Sequence, residues 1–167
     1  MEKFKILFAD LDGTLITTKS GKKFTRDITD WKFKSNILEA IGNYNPISIY
    51  IVTNQGGIEK RFISESAFIR KINGIVDKMR IIFPNVEIDY AYCKTTSTVD
   101  PNRKPNTGMI YRFIDESFLK NPSIDILMIG DASGKPGDFS DSDRMTAINA
   151  GIKYLDVETF INLYYGT

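Results

Sequence analysis

Phe8-Ala9-Asp10-Leu11-Asp12-Gly13-Thr14 closes the first apolar run of the chain, and the reading of this stretch decides the fold. The run from Phe4 to Ala9 is apolar almost throughout, the pattern of a strand covered on both faces in a parallel sheet. It ends in two carboxylates one residue apart, followed at once by a glycine and a hydroxyl residue. Acid, turn and hydrogen-bonder therefore share one strand tip, which reads as an active site. A strand ending in an ordinary Asp-Gly turn is the weaker alternative.

Working outward, residues 13 to 33 are polar and turn-rich. They predict a hairpin flap over the site, with Ser20-Gly21-Lys22-Lys23 between two short Thr-containing arms. Ile37, Leu38 and Ile41 mark a short helix that stops near Gly42 and Asn43. Pro46 to Val52 reads as a second buried strand, ending in the glycine-bearing tip Thr53-Asn54-Gln55-Gly56-Gly57. Phe68, Ile72, Ile75, Val76, Met79 and Ile82 recur at helical spacing after Ser64 and Glu65, a capped helix whose stripe is core. Val86 to Tyr92 is a third strand, and Lys94 to Pro105 a polar loop of about a dozen residues, long enough to be a functional segment. Arg103-Lys104-Pro105 then opens a helix with Met109, Ile110, Phe113, Ile114 and Phe118 inward. Ile124 to Ile129 is a fourth strand ending in Gly130-Asp131. A Gly- and Asp-rich loop over 132–143, a short helix over 144–151, a strand over 152–155 and a terminal helix over 157–165 complete the chain. Strands alternating with helices imply right-handed crossovers and a parallel sheet, whose ligands bind at the carboxyl ends of the strands. Asp10, Thr53, Lys104 and Asp131 all fall at or just beyond those ends.

Composition narrows the chemistry. With 167 residues, 42% of them hydrophobic and 26% charged, the chain is expected to form one globular domain over 1–167 with a flap at about 14–33. No stretch has the length of a signal segment or a membrane span. Cys93 is the single cysteine, so an internal disulfide and a thiolate zinc cage are excluded. A reducing compartment is the expectation: the cytoplasm, or the nucleus in a eukaryotic host. Nothing suggests an obligate oligomer, and a monomer is expected. There is no histidine at all, which removes Ser-His and Cys-His catalysis and imidazole ligands. Carboxylates remain for proton transfer, and oxygen ligands for a metal, which points to Mg²⁺.

Asp10, Asp12 and Asp131 would repel one another at close range unless a cation joined them. Lys104, a threonine hydroxyl and the N–H groups of the glycine-bearing tips make a second half suited to phosphoryl oxygens. The substrate is then a phosphate ester. Asp10 can attack phosphorus, while Asp12 protonates the leaving oxygen and later deprotonates water.

These features resemble the four motifs of the haloacid-dehalogenase superfamily of phosphotransferases. Within it, "DLDGTLITTKSGKKF", Asp30-Trp31, "TNQGGI", "RKPNTGM" and "GDASGK…DFSDSDRMTAINAGI" are similar to the 3′-phosphatase domain of polynucleotide kinase-phosphatases and their stand-alone relatives, from residue 8 to about 152. The resemblance implies a three-layer, Rossmann-like α/β fold with a mostly parallel five-stranded sheet, a flap and no cap domain. It implies Asp10 as nucleophile, Asp12 as general acid/base, and Thr53 and Asn54 holding the phosphoryl group. Lys104 would offset its charge, and Asp10, the Asp12 carbonyl and Asp131 would bind magnesium. A second late acid is usual; Asp143 fits best by register, with Asp138 and Asp141 close by. The activity implied is release of 3′-phosphate from DNA ends, a step of DNA repair, through an aspartyl-phosphate. No kinase half is implied: after Gly134-Lys135, Pro136 stands where a phosphate-binding loop needs Ser or Thr.

Only about forty residues separate the Asp pair from Thr53, and about fifty separate Thr53 from Lys104, which leaves no room for a cap. An open site suits a polymer end. Lys19, Lys22, Lys23 and Arg26 on the flap, with Lys60, Arg61, Lys94, Arg103, Lys135 and Arg144, are candidates for a basic track, Lys22 and Arg103 being the substrate-binding choices. Phe24 and Trp31 are candidates for stacking on a base, although Trp31 reads first as the residue holding the flap to the body. A small-ester phosphatase of the histidinol-phosphate or heptose-phosphate type, sharing DxDGT and RKPxxG, is the alternative. A degenerate, purely DNA-binding member is the third reading.

Overall fold

The computed structural model describes residues 1–23 and 27–167. Strands β1 (Phe4–Ala9), β4 (Ser48–Asn54), β5 (Glu87–Cys93), β6 (Ile124–Gly130) and β7 (Lys153–Asp156) form one sheet in the order β5-β4-β1-β6-β7. Every pairing in it is parallel. From β1 the chain builds first toward β5 and then, on the other side, toward β7. The reversal lies beside β1, where open parallel sheets place their ligands.

Alternation along the strands divides the core into two layers. Leu7, Ala9, Ile49, Ile51, Leu127 and Ile129 pack with helices α1 (Ile37–Tyr44), α2 (Glu65–Ile82) and α6 (Val157–Tyr164). Ile6, Phe8, Tyr50, Val52, Ile126 and Met128 pack on the opposite face with α3 (Gly108–Tyr111), α4 (Glu116–Lys120) and α5 (Ser142–Ala150). Helix α2 begins as its sequence demands: Ser64 accepts a hydrogen bond from the Ala67 N–H on its side chain.

The structure departs from the sequence reading in three places. The single helix expected after Pro105 is two short ones, because Asp115 takes the Ser117 N–H on its side chain and starts a new helix there. Met109, Ile110 and Ile114 are nonetheless buried, and Phe113 stacks on Tyr50 at 4.4 Å. The second strand begins at Ser48 and runs on to Asn54, held to β5 through the pairs Thr53 with Tyr92 and Asn54 with Cys93. The flap is a short antiparallel ribbon of β2 (Ile16–Thr17) and β3 (Lys32–Phe33), so its second arm is Lys-Phe instead of a Thr-containing segment. Trp31 and Phe33 pack edge-to-face at 5.2 Å and lie on the core layer that includes α2, because their apolar rings gain more against that layer than over a polar cleft. The stacking and phosphate-contact candidates Phe24 and Arg26 lie outside the described residues. Among the described residues, no helix is long and apolar enough to cross a membrane.

Candidate active site

Adjacent strand tips deliver the polar groups. Asp10 follows β1, Thr53 and Asn54 end β4, and Asp131 follows β6; Lys104 comes from the loop after β5 and Asp143 from the first turn of α5. All of these but Asp131 line a cleft of about 510 Å³ with Asp12, Arg103 and Phe139.

Lys104 is the centre of this arrangement. Its Nζ donates to Oδ1 of Asp10 at 2.8 Å and to Oδ1 of Asp143 at 2.7 Å, and only 4% of the residue is exposed. Asp143 also accepts the Ala132 N–H on Oδ2 at 3.0 Å. The Thr14 hydroxyl donates to Oδ2 of Asp10 at 3.4 Å. One oxygen from each of Asp10, Asp131 and Asp143 lies within 4.8 Å of the other two. Asp131 Oδ1 is buried with no hydrogen-bond partner among the described residues.

Two glycines make this crowding feasible. Gly13 has φ +77°, and a Cβ there would stand 2.1 Å from Asp131 Oδ2. A Cβ on Gly130 would stand 2.3 Å from Asp143 Oδ2. Gly13 shapes a turn, and both glycines leave the volume that the carboxylates occupy.

The electrostatics follow from burial. Desolvation raises the Asp10 carboxyl well above the usual carboxylate range, and the charge of Asp143 adds to it while Lys104 opposes. Desolvation, again with Asp143, lifts Asp131 from 3.8 to about 6. For Lys104 burial acts to lower the pKa, but Asp10 and Asp143 together outweigh it and hold the ammonium above its usual range. Three carboxylates facing one ammonium leave an excess of negative charge in a dry site. An oxygen-only donor set with an unpartnered buried carboxylate oxygen fits a hard divalent cation such as Mg²⁺. Asp10, Asp131 and Asp143 are the residues that would hold it.

Asp12 is exposed and accepts a hydrogen bond from Gln55 Nε2 at 2.9 Å; the same nitrogen donates to Thr53 Oγ1 at 2.9 Å. Gln55 thus ties Asp12 to the β4 tip. Its motif was visible in the sequence, but nothing there singled it out. The Asn54 amide is occupied by the Lys104 backbone, donating to its carbonyl at 3.1 Å and accepting its N–H at 2.9 Å. As arranged here, Asn54 clamps the lysine loop to the sheet. Arg103 lines the cleft and donates to the Thr95 carbonyl at 2.9 Å. Of the three late acids, Asp143 faces Lys104. Asp138 accepts the N–H groups of Ser133 and Lys135, and Asp141 pairs with Arg144 at 3.9 Å. Lys22 is exposed on the ribbon loop, bonded locally to Ser20 and Thr18, and does not line the cleft. Phe139, 75% exposed, was not anticipated as a cleft residue. Two cations of the expected basic track are neutralised: Lys94 pairs with Glu65 at 3.2 Å and Lys135 with Asp156 at 3.0 Å.

The parallel α/β fold is shared with a putative haloacid-dehalogenase-like phosphatase from Mesorhizobium loti, whose structure superposes with a TM-score of 0.65 at 22% identity, covering 99% of this chain and 86% of that one. Residues 5–161 match the family described as polynucleotide kinase 3 phosphatase, and the chain belongs to that family. It is 38% identical over 165 residues to a bifunctional polynucleotide phosphatase/kinase of Schizosaccharomyces pombe, covering 93% of this chain and 37% of that protein. The chain thus spans little more than a third of the length of that relative. It is 30% identical to an uncharacterized 20.8 kDa protein of Autographa californica nuclear polyhedrosis virus, over 97% of this chain and 88% of that one. Among solved structures, D,D-heptose 1,7-bisphosphate phosphatase from B. bronchiseptica, crystallised with magnesium and phosphate, superposes with a TM-score of 0.62 at 16% identity, covering 96% of this chain and 97% of that one.

Proposed function

We propose that residues 1–167 act as one Mg²⁺-dependent phosphatase domain that removes the 3′-phosphate from DNA ends through an aspartyl-phosphate on Asp10. The observation that carries the chemistry is Lys104, buried and bonded to Asp10 on one side and Asp143 on the other. Asp10 attacks phosphorus through a carboxylate oxygen, and the bond from phosphorus to the 3′-oxygen breaks with its electron pair. Asp12, exposed at the cleft and held by Gln55, gives that oxygen a proton, then takes one from the water that attacks the aspartyl-phosphate. Inorganic phosphate leaves, the Asp10 carboxylate is restored and Asp12 again carries the proton with which it began. Lys104 and the Thr53 hydroxyl stabilise the phosphoryl oxygens, and Asn54 positions the lysine loop. Bound Mg²⁺ would neutralise phosphoryl charge and keep Asp10 ionised despite its burial.

The polymer substrate is supported by the family match and by the cleft itself, where Phe139 offers an exposed ring on which a terminal base can stack. The magnesium and phosphate of the heptose-bisphosphate phosphatase crystal support the ion. The test compares oligonucleotides phosphorylated at the 3′ end and at the 5′ end, with and without Mg²⁺. Selective, Mg²⁺-dependent release from the 3′ end is expected. Equal turnover of both ends, or faster hydrolysis of a sugar bisphosphate than of any oligonucleotide, overturns the assignment and favours the small-ester alternative.

A further inference from the structure

Away from the cleft, the ribbon and α2 enclose a groove of about 450 Å³. Lys19 and Lys32 from the ribbon side and Arg70, Lys71 and Lys78 from α2 line it, and among the described residues no carboxylate does, although the charge of Lys19 acts on Asp27 nearby. In a chain of net charge +1, five cations lining one groove is a marked segregation. Lys94, Lys120, Lys135 and Lys153, elsewhere on the surface, each meet a carboxylate within 3.2 Å. Lys32, Arg70 and Lys71 form no ion pair among the described residues.

The groove is also shaped. Lys71, Gly74 and Lys78 follow one another at three and four residues, so they share a face of α2. The two lysines lie about 10 Å apart along the helix axis, too far for a single phosphate to bridge. Gly74 lies on the open floor, where a Cβ would meet nothing within 4 Å, so a side chain can be introduced there without a clash. Lys78 Nζ sits 4.9 Å from the centre of the Trp31 ring, which fixes the ammonium in place. The ribbon that forms the other wall springs from the catalytic tip: the Gly13 N–H donates to the Ile16 carbonyl at 2.8 Å.

We infer that this groove is a second nucleic-acid site, which binds the phosphodiester backbone of the substrate at nucleotides remote from the reacting end. The substrate class rests on the reading given under Proposed function; the groove and its charge do not. Cations spread over a length greater than one phosphate group suit a polyanion and gain affinity through counterion release.

The test measures fluorescence anisotropy of single-stranded oligonucleotides with a 3′-hydroxyl, four and twenty nucleotides long by design, against wild type, Gly74→Ala and the double variant Lys71→Glu/Gly74→Glu. The double variant is expected to bind the long strand about tenfold more weakly, with a salt slope shallower by about 0.7 per lost contact. Its affinity for the short strand and its turnover of an aryl phosphate should match wild type, as should all behaviour of Gly74→Ala. Undiminished long-strand affinity overturns the groove, as does equal weakening for both lengths. So does loss of binding to phosphatidylserine vesicles with oligonucleotide affinity intact, which would assign the cations to a lipid surface. A wild type that binds the long strand through the groove yet releases no 3′-phosphate defeats only the proposed activity. If release proceeds and the double variant binds normally, only the groove is lost.

Discussion

The rim at the carboxyl edge of the sheet and the groove beside α2 both concentrate charge, in opposite ways. At the rim, Asp10, Asp131, Asp143 and Lys104 are brought within a few ångströms by separate elements, and all but the half-buried Asp131 are shielded from water. Each charge there is tolerable only because of the others. In the groove, Lys32, Arg70, Lys71 and Lys78 keep their ammonium and guanidinium groups near solvent, where repulsion is screened. The rim should therefore respond to substitution as a unit, and the groove one charge at a time.

The largest effect should come from Asp10→Asn, which removes the attacking oxygen: turnover should fall by at least about 10⁴-fold while the circular dichroism spectrum is unchanged. Residual activity within tenfold of wild type would mean that Asp10 is not the nucleophile. Lys104→Met should destabilise the fold by roughly 3–5 kcal/mol in urea titration without divalent cations, because it strands buried carboxylates. A loss below about 1 kcal/mol would show that the rim is wetter than its burial suggests. Gly130→Ala drives a methyl group into Asp143 and should lower kcat by about 10²-fold through displaced groups; normal kcat would mean that the carboxylate has room to move.

The Asp131 shift gives the rim a pH signature. Its folded pKa of about 6 exceeds the ordinary 3.8. Without cation, the folded state therefore keeps a proton that the unfolded state has released over this window. The contribution of Asp131 favours folding at low pH and is lost as pH rises through about 6. A divalent cation competes with that proton. The rise in melting temperature on adding Mg²⁺ should accordingly be larger at pH 7.5 than at pH 5, and the reverse order would remove Asp131 from the ion site. Smallest of all, Lys32→Ser in the groove should change stability by no more than about 0.5 kcal/mol. A larger loss would make that lysine part of the fold instead of a solvated cation.

Most of the fold was legible because local patterns specify it. The apolar run ending at Ala9 and the stripe from Phe68 to Met79 can be buried in only one way each. Boundaries moved where a side chain competed with the pattern, as Asp115 does by starting α4. The rim was legible in part, because a residue at the end of a buried parallel strand has only one edge of the sheet to occupy. Gln55 and Phe139 were not, because their importance lies in which neighbours they meet. Asn54 was assigned to the phosphoryl group, yet its amide is engaged by the Lys104 backbone.

By itself the sequence determined that a parallel sheet would present acids, a hydroxyl and a lysine on one rim, since strand period and chain direction leave no other arrangement. It also limited the chemistry to oxygen donors, since the chain lacks histidine and has one cysteine. Only the tertiary structure decided that Asp143, and not Asp138 or Asp141, shares Lys104 with Asp10. It likewise decided that the ribbon leans on α2 and that the free cations collect there. The reason is physical: spacing along the chain constrains direction and face, whereas which charges become neighbours depends on how separate elements pack.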